Sequence, residues 1–195
     1  SLETLRRYGV THVVNATMKT DNHFEDQGLV YLRVVIPDVK SYDISIHFDA
    51  VNAFIVNAKR EGGCVLVHCR AGQSRSATLT IAHLMLFRRW TLRKAYCHVK
   101  ECRPMVKPNE GFFRKLMALE GSLFEGRITM RVEDIASGWV ENQLGEDEEE
   151  RRERSRRRRA RRKGGPRWGR RDAGFGLKPK TVGDEGGRFL VHHTA

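Results

Sequence analysis

No run of apolar residues in this 195-residue sequence approaches the ~20 that a membrane-spanning helix needs. No secretory leader is visible, because Ser1-Leu2-Glu3 opens directly on sequence with the character of a folded domain. The absence of an initiator Met fits a fragment. Cysteine is scarce: Cys64, Cys69, Cys97 and Cys102 are too few for a disulfide scaffold in a chain of this length. They do not form two pairs at zinc-ligand spacing, and His192-His193 is too sparse for a metal site. No metal and no cofactor are expected. A reduced compartment fits this cysteine usage, so a cytoplasmic or nuclear location is expected.

Charge is plentiful but unevenly spread. The formal net charge is +12, yet residues 1–150 carry 20 Lys plus Arg against 20 Asp plus Glu, and residues 151–195 carry 16 against 4. The sequence is therefore a neutral domain followed by a basic tail. Three parts are expected: a domain over 1–130, an acidic linker over 131–150 and a basic, disordered tail over 151–195. The tail is rich in Gly and charge and has too little apolar surface to offset its ordering entropy. Its run Arg151–Lys163 fits an anionic partner or an import receptor, and the plain alternative is a solvated tail.

Within the domain, strands and helices alternate. Leu2–Tyr8 has helical spacing and meets Gly9 as a stop. Val10–Thr17 and Leu29–Ile36 are β-branched and read as strands, the second ended by Pro37. Ile44, Phe48, Val51, Ile55 and Ala58 recur at 3- and 4-residue spacing and predict an amphipathic helix over 44–60. Val65–Val67 is a short buried strand, and Ala77–Phe87 an apolar helix. Thr91 and Asn109 cap two further helices, 92–102 and 110 to about 124. This alternation predicts an α/β fold: a central, mostly parallel, twisted sheet flanked by helices.

The chemistry concentrates in His68-Cys69-Arg70-Ala71-Gly72-Gln73-Ser74-Arg75-Ser76, a loop between a strand end and a helix start. Unsatisfied N–H groups at a helix N-terminus favour an anion, and Gly72 lets the backbone turn. In that setting Cys69 is favoured as a thiolate, the nucleophilic form. Arg75 offers a planar fork for two phosphoryl oxygens. A lone Cys at a strand end is usually a small buried apolar residue, and a lone Arg at a helix start a solvated charge. Together they describe attack on phosphorus. Asp38 follows the strand ending at Ile36, at the sheet end where sites form, and suits a general acid. Asp43 is its competitor and suits a helix cap.

The loop resembles the signature of the protein tyrosine phosphatase superfamily, and its Ala-Gly-x-Ser-Arg-Ser-Ala ending resembles the atypical dual-specificity phosphatases. A second segment, Arg103-Pro104-Met105-Val106-Lys107-Pro108-Asn109-Glu110-Gly111-Phe112, resembles the same family. The resemblance spans about residues 2–130. It implies a phosphoprotein phosphatase acting through a phosphocysteine on phosphotyrosine and on phosphoserine or phosphothreonine. Cys69 would be the nucleophile, and Arg75 with the N–H groups of Arg70, Ala71, Gly72, Gln73 and Ser74 would bind phosphate. Asp38 would be the general acid, Ser76 would help sulfur leave, and His68 would help hold the thiolate. Family members carry one or two strands before the first helix, so the N-terminal sheet edge is expected to be truncated. Two rivals remain: a catalytically weak phosphoprotein-binding module, and an RNA 5′-phosphatase on the same fold. Relatives of the latter kind typically lack the acid aspartate.

Overall fold

The computed structural model of the chain describes residues 1–136 and 189–193. In chain order the elements are α1 (Leu2–Arg7), β1 (Val10–Asn15), β2 (Val30–Arg33), α2 (Phe48–Arg60), β3 (Cys64–Cys69), α3 (Arg75–Arg88), α4 (Leu92–Cys102), α5 (Glu110–Leu123), α6 (Val132–Ala136) and β4 (Phe189–His193). The strands form one sheet in the order β2-β1-β3-β4, every neighbouring pair parallel. In register, Val14 lies between Leu32 and Val67. Among the described residues, Ser1–Glu133 and Phe189–His193 belong to one compact unit. No helix among the described residues is long and apolar enough to cross a membrane.

β3 is buried along its whole length, as a strand covered on both faces must be. Every residue of α3 from Arg75 to Met85 is buried too. α3 packs against β3, α2, α4 and α5, which explains an apolar sequence with no polar stripe. α2 keeps the amphipathic pattern expected of it and buries Phe48, Val51, Ile55 and Ala58. A second cluster joins Val10, Val13, Leu29, Cys64 and Leu66, with Leu2 and Leu5 of α1 and Tyr8 just after it packed against it. The two clusters hold β3 so that its C-terminal end, at Cys69, sits at a fixed place.

Several boundaries differ from expectation. The helix expected from Ile44 begins at Phe48, because Ile44–His47 forms a tighter 3₁₀ turn capped by Asp43. β2 stops at Arg33, although Val34 N–H still donates to the Asn15 carbonyl at 3.0 Å. The expected linker over 131–150 opens with the short helix α6, and the rest of it lies outside the described residues. The tail expected to be disordered contains β4, which pairs Val65–Cys69 with Phe189–His193. The apolar, β-prone run Phe189-Leu190-Val191 meets the edge of β3, whose backbone groups need partners. The remainder of 151–188, including Arg151–Lys163, lies outside the described residues.

Candidate active site

β3 delivers Cys69 to the C-terminal edge of the sheet, 1% exposed, and α3 begins at Arg75. Residues 70–74 arch between them. Gly72 turns the arch at φ +65°, a conformation that costs a side-chain-bearing residue about 1–2 kcal/mol. Its N–H donates to Cys69 Sγ at 3.3 Å, and Ser76 Oγ lies 3.2 Å from the same sulfur. The sulfur is therefore approached by a backbone donor and a hydroxyl, both suited to negative charge on it. Arg70 and Gln73 are exposed, so the loop turns backbone rather than these side chains inward.

The start of α3 is built for an anion. Ser74, its N-cap, makes no side-chain hydrogen bond to the helix. Its Oγ is engaged elsewhere, donating to Asp38 Oδ1 at 2.8 Å. The first-turn N–H groups of α3 are thus not consumed by a side-chain cap. Arg75 lies folded back and 8% exposed. Its Nη1 donates to the Ile36 carbonyl at 3.2 Å, which aims the guanidinium under the loop. Its buried Nε makes no hydrogen bond among the described residues; the nearest carboxylate oxygen, Asp38 Oδ2, stands at 3.6 Å. That donor is available to a phosphoryl oxygen.

Asp38 is the carboxylate that reaches the loop. Besides Ser74, Asn109 Nδ2 donates to its Oδ1 at 2.9 Å. The loop carrying it docks on the first turn of α5. A Cβ on Gly111 would lie 1.9 Å from the Lys40 carbonyl oxygen, so only glycine admits that approach. Lys40 Nζ also pairs with Glu110 at 2.9 Å. Asp43 is spent on structure. It accepts from Ser45 N–H at 3.1 Å and from Lys115 Nζ at 2.7 Å. The Lys115 hydrogen bond, and after it that of Ser45, hold its carboxyl below the usual range.

Cys69, Arg75, Ser76, Asp38 and the residue 70–74 loop are thus gathered in one place. His68 is buried beside Cys69, but successive strand residues face opposite sides of the sheet. Its carbonyl accepts from Ala16 N–H at 2.8 Å, which helps to fix the strand end. Among the described residues no cluster of His, Cys, Asp or Glu could hold a metal ion. Two contributions were not legible beforehand. Asn109, expected only to cap α5, also donates to Asp38. Arg103 donates to the loop carbonyls of Gly72 and Ala71. The second sequence segment signalled that both positions matter, but no local pattern says what a side chain touches 30 or 70 residues away.

Comparison with known proteins agrees with this geometry. The family described as "Dual specificity phosphatase, catalytic domain" matches residues 1–122. Dual specificity protein phosphatase 26 of Bos taurus is 46% identical over 127 residues, covering 63% of this chain and 60% of that protein. The chain thus spans less than two thirds of that relative's length. Human dual specificity protein phosphatase 14 is 41% identical over 136 residues, covering 70% of this chain and 68% of its own. The crystal structure of human DUSP28 superposes with a TM-score of 0.59 at 37% identity, over 62% of this chain and 84% of that one.

Proposed function

The chain belongs to the dual-specificity phosphatase catalytic-domain family, and from that membership we propose that it hydrolyses phosphoprotein monoesters through a phosphocysteine. The substrates are phosphotyrosine and phosphoserine or phosphothreonine side chains. The observation that carries the reading is the convergence on one loop of a buried sulfur with its N–H donor, a folded-back arginine and a separate carboxylate.

The steps follow from these groups. Cys69 Sγ attacks phosphorus, the S–P bond forms, and the bond to the leaving oxygen breaks. Asp38, protonated at the start, gives its proton to that oxygen. Arg75 and the loop N–H groups hold the equatorial oxygens as charge redistributes. Water then attacks phosphorus, Asp38 takes its proton, and the S–P bond breaks with the electron pair returning to sulfur. The Ser76 hydroxyl, 3.2 Å away, donates to the departing thiolate. The role of His68 is to hold the strand end and the thiolate it delivers. A reducing location, cytoplasm or nucleus, suits a thiol nucleophile at Cys69. The Arg151–Lys163 run suits an anionic surface or an import receptor.

The test is phosphate release from an aryl phosphate, wild type beside Cys69→Ser, with reductant and chelator present. Release that survives chelation and vanishes in the variant supports the thiolate route. A well-folded wild type that binds phosphopeptide without releasing phosphate would make the chain a binding module instead. Preference for RNA 5′-ends over phosphopeptides would reassign the substrate.

A further inference from the structure

The outer face of the phosphate loop has donors of its own. In a planar trans peptide, the carbonyl of one residue and the N–H of the next point in opposite directions. A carbonyl pulled outward therefore aims the following N–H inward. Three successive loop carbonyls are pulled outward by the connection between α4 and α5. Arg103 Nε donates to the Gly72 carbonyl at 3.0 Å, and its Nη2 lies 3.4 Å from the Ala71 carbonyl. The Lys107 N–H donates to the Gln73 carbonyl at 3.0 Å. The paired N–H groups are those of Gly72, Gln73 and Ser74, and that of Gly72 does point at Cys69 Sγ.

Arg103 is well placed for this. Its own N–H donates to the Val99 carbonyl at 2.9 Å, and its carbonyl accepts from Val106 N–H at 3.1 Å, so its backbone is fixed at the end of α4. A Cβ on Gly72 would sit 2.7 Å from Arg103 Nη2, so glycine at 72 serves both the turn and the close approach of the guanidinium. A planar guanidinium fork is pre-organised to serve two adjacent carbonyls from one side.

We infer that Arg103 is a positioning residue: it holds the Ala71 and Gly72 carbonyls so that the N–H groups of Gly72 and Gln73 face the phosphoryl oxygens. This rests on reading the loop as a phosphoryl-transfer site. Arg103 acts through the loop backbone, not on the reacting atoms. Its charge, behind the loop, has the sign that favours an anion in front.

The experiment uses inorganic tungstate, a tetrahedral oxyanion, as the probe. Its affinity, the rate at which iodoacetate inactivates through Cys69, and kcat and KM are compared for the full chain and three variants. Arg103→Ala removes the fork, and Arg103→Lys keeps a charged donor without the planar fork. Lys100→Ala is the control, because Lys100 Nζ donates to the Val106 carbonyl in the same connection between α4 and α5. Arg103→Ala is expected to lose about tenfold in tungstate affinity, the scale of a charge-assisted hydrogen bond. Iodoacetate inactivation should slow, and kcat should fall more than KM rises. Arg103→Lys should recover part of each loss, as should millimolar guanidinium added to Arg103→Ala. Lys100→Ala should keep wild-type tungstate affinity whatever its melting temperature. Wild-type tungstate affinity and inactivation rate in folded Arg103→Ala would overturn the inference. So would equal losses in Arg103→Lys and Lys100→Ala, a comparison that still decides if Arg103→Ala does not fold. Arg103-dependent tungstate binding in a protein that releases no phosphate would sink the hydrolase reading alone.

Discussion

Two carboxylates, Asp38 and Glu120, have opposite uses. Asp38 is partly exposed at the loop, its side chain 38% accessible, and it accepts from Ser74 and Asn109 on a single oxygen, Oδ1. That leaves Oδ2 turned toward Arg75. Asp38→Asn should cut turnover of substrates with poor leaving oxygens by about 10²–10⁴-fold, the usual worth of a positioned acid. Aryl phosphates with good leaving groups should be affected far less. Equal losses on both would remove Asp38 as the proton donor. Glu120 is fully buried and accepts from Leu92 N–H at 2.7 Å, Thr129 N–H at 2.7 Å and Thr129 Oγ1 at 2.6 Å. It ties the first turn of α4 to α5 and to the segment after it. Glu120→Gln turns an amide donor toward this ring of donors. It should cost about 2 kcal/mol, the range for burying unpaired polar groups, and lower the melting temperature by about 4–8 °C. kcat should stay near wild type, and a matching loss of kcat would mean that this joint reaches the loop.

Helix starts set the site at the scale of elements. α4 and α5 have side-chain caps, Thr91 accepting from Lys94 N–H and Asn109 from Phe112 N–H. α3 lacks one, and the residue 70–74 loop lies just before its first turn. Asn109 works in two directions, its Oδ1 on α5 and its Nδ2 on Asp38. Asn109→Asp separates these uses. It keeps a capping oxygen, as good as Asn at this position. It loses the donor to Asp38 and sets a like charge beside it. The melting temperature is expected to stay within a few degrees of wild type while kcat falls about tenfold or more. A drop in stability without a drop in kcat would confine Asn109 to its cap.

At the scale of the whole molecule, burial of a titratable base makes stability depend on pH. His83 is 1% exposed, stacks on Phe87 and bonds Asn52 Oδ1 through Nδ1 at 2.8 Å. Burial first, then the nearby charges of Lys59 and Arg88, lower its pKa to about 3. Unfolded, a histidine titrates near 6.5. Between these values the unfolded chain binds the extra proton, so stability is full above about pH 6.5 and is lost as pH falls. The slope from this group is up to about 1.4 kcal/mol per pH unit. Thermal unfolding should be flat near pH 7–8 and move down by several degrees at pH 5, and His83→Gln should flatten that fall. An unchanged slope in the variant would assign the acid sensitivity to other groups.

The sequence by itself determined the alternation of strands and helices, the loop between β3 and α3, and the helix caps at Thr91 and Asn109. All of these are local: hydrophobic period, turn chemistry and the spacing of neighbours along the chain are visible in one dimension. It also made Asp38 the leading carboxylate, from its place after a strand. Only the tertiary structure decided that Asp43 caps a 3₁₀ turn and pairs with Lys115, 72 residues away. It alone brought Asn109 to Asp38, Arg103 to the outer carbonyls of the loop and Phe189–His193 to the edge of β3. Each of these joins groups far apart in the chain, and their meeting depends on how helices pack over the sheet. A charged side chain or a short apolar run carries no local sign of which distant backbone group it will satisfy.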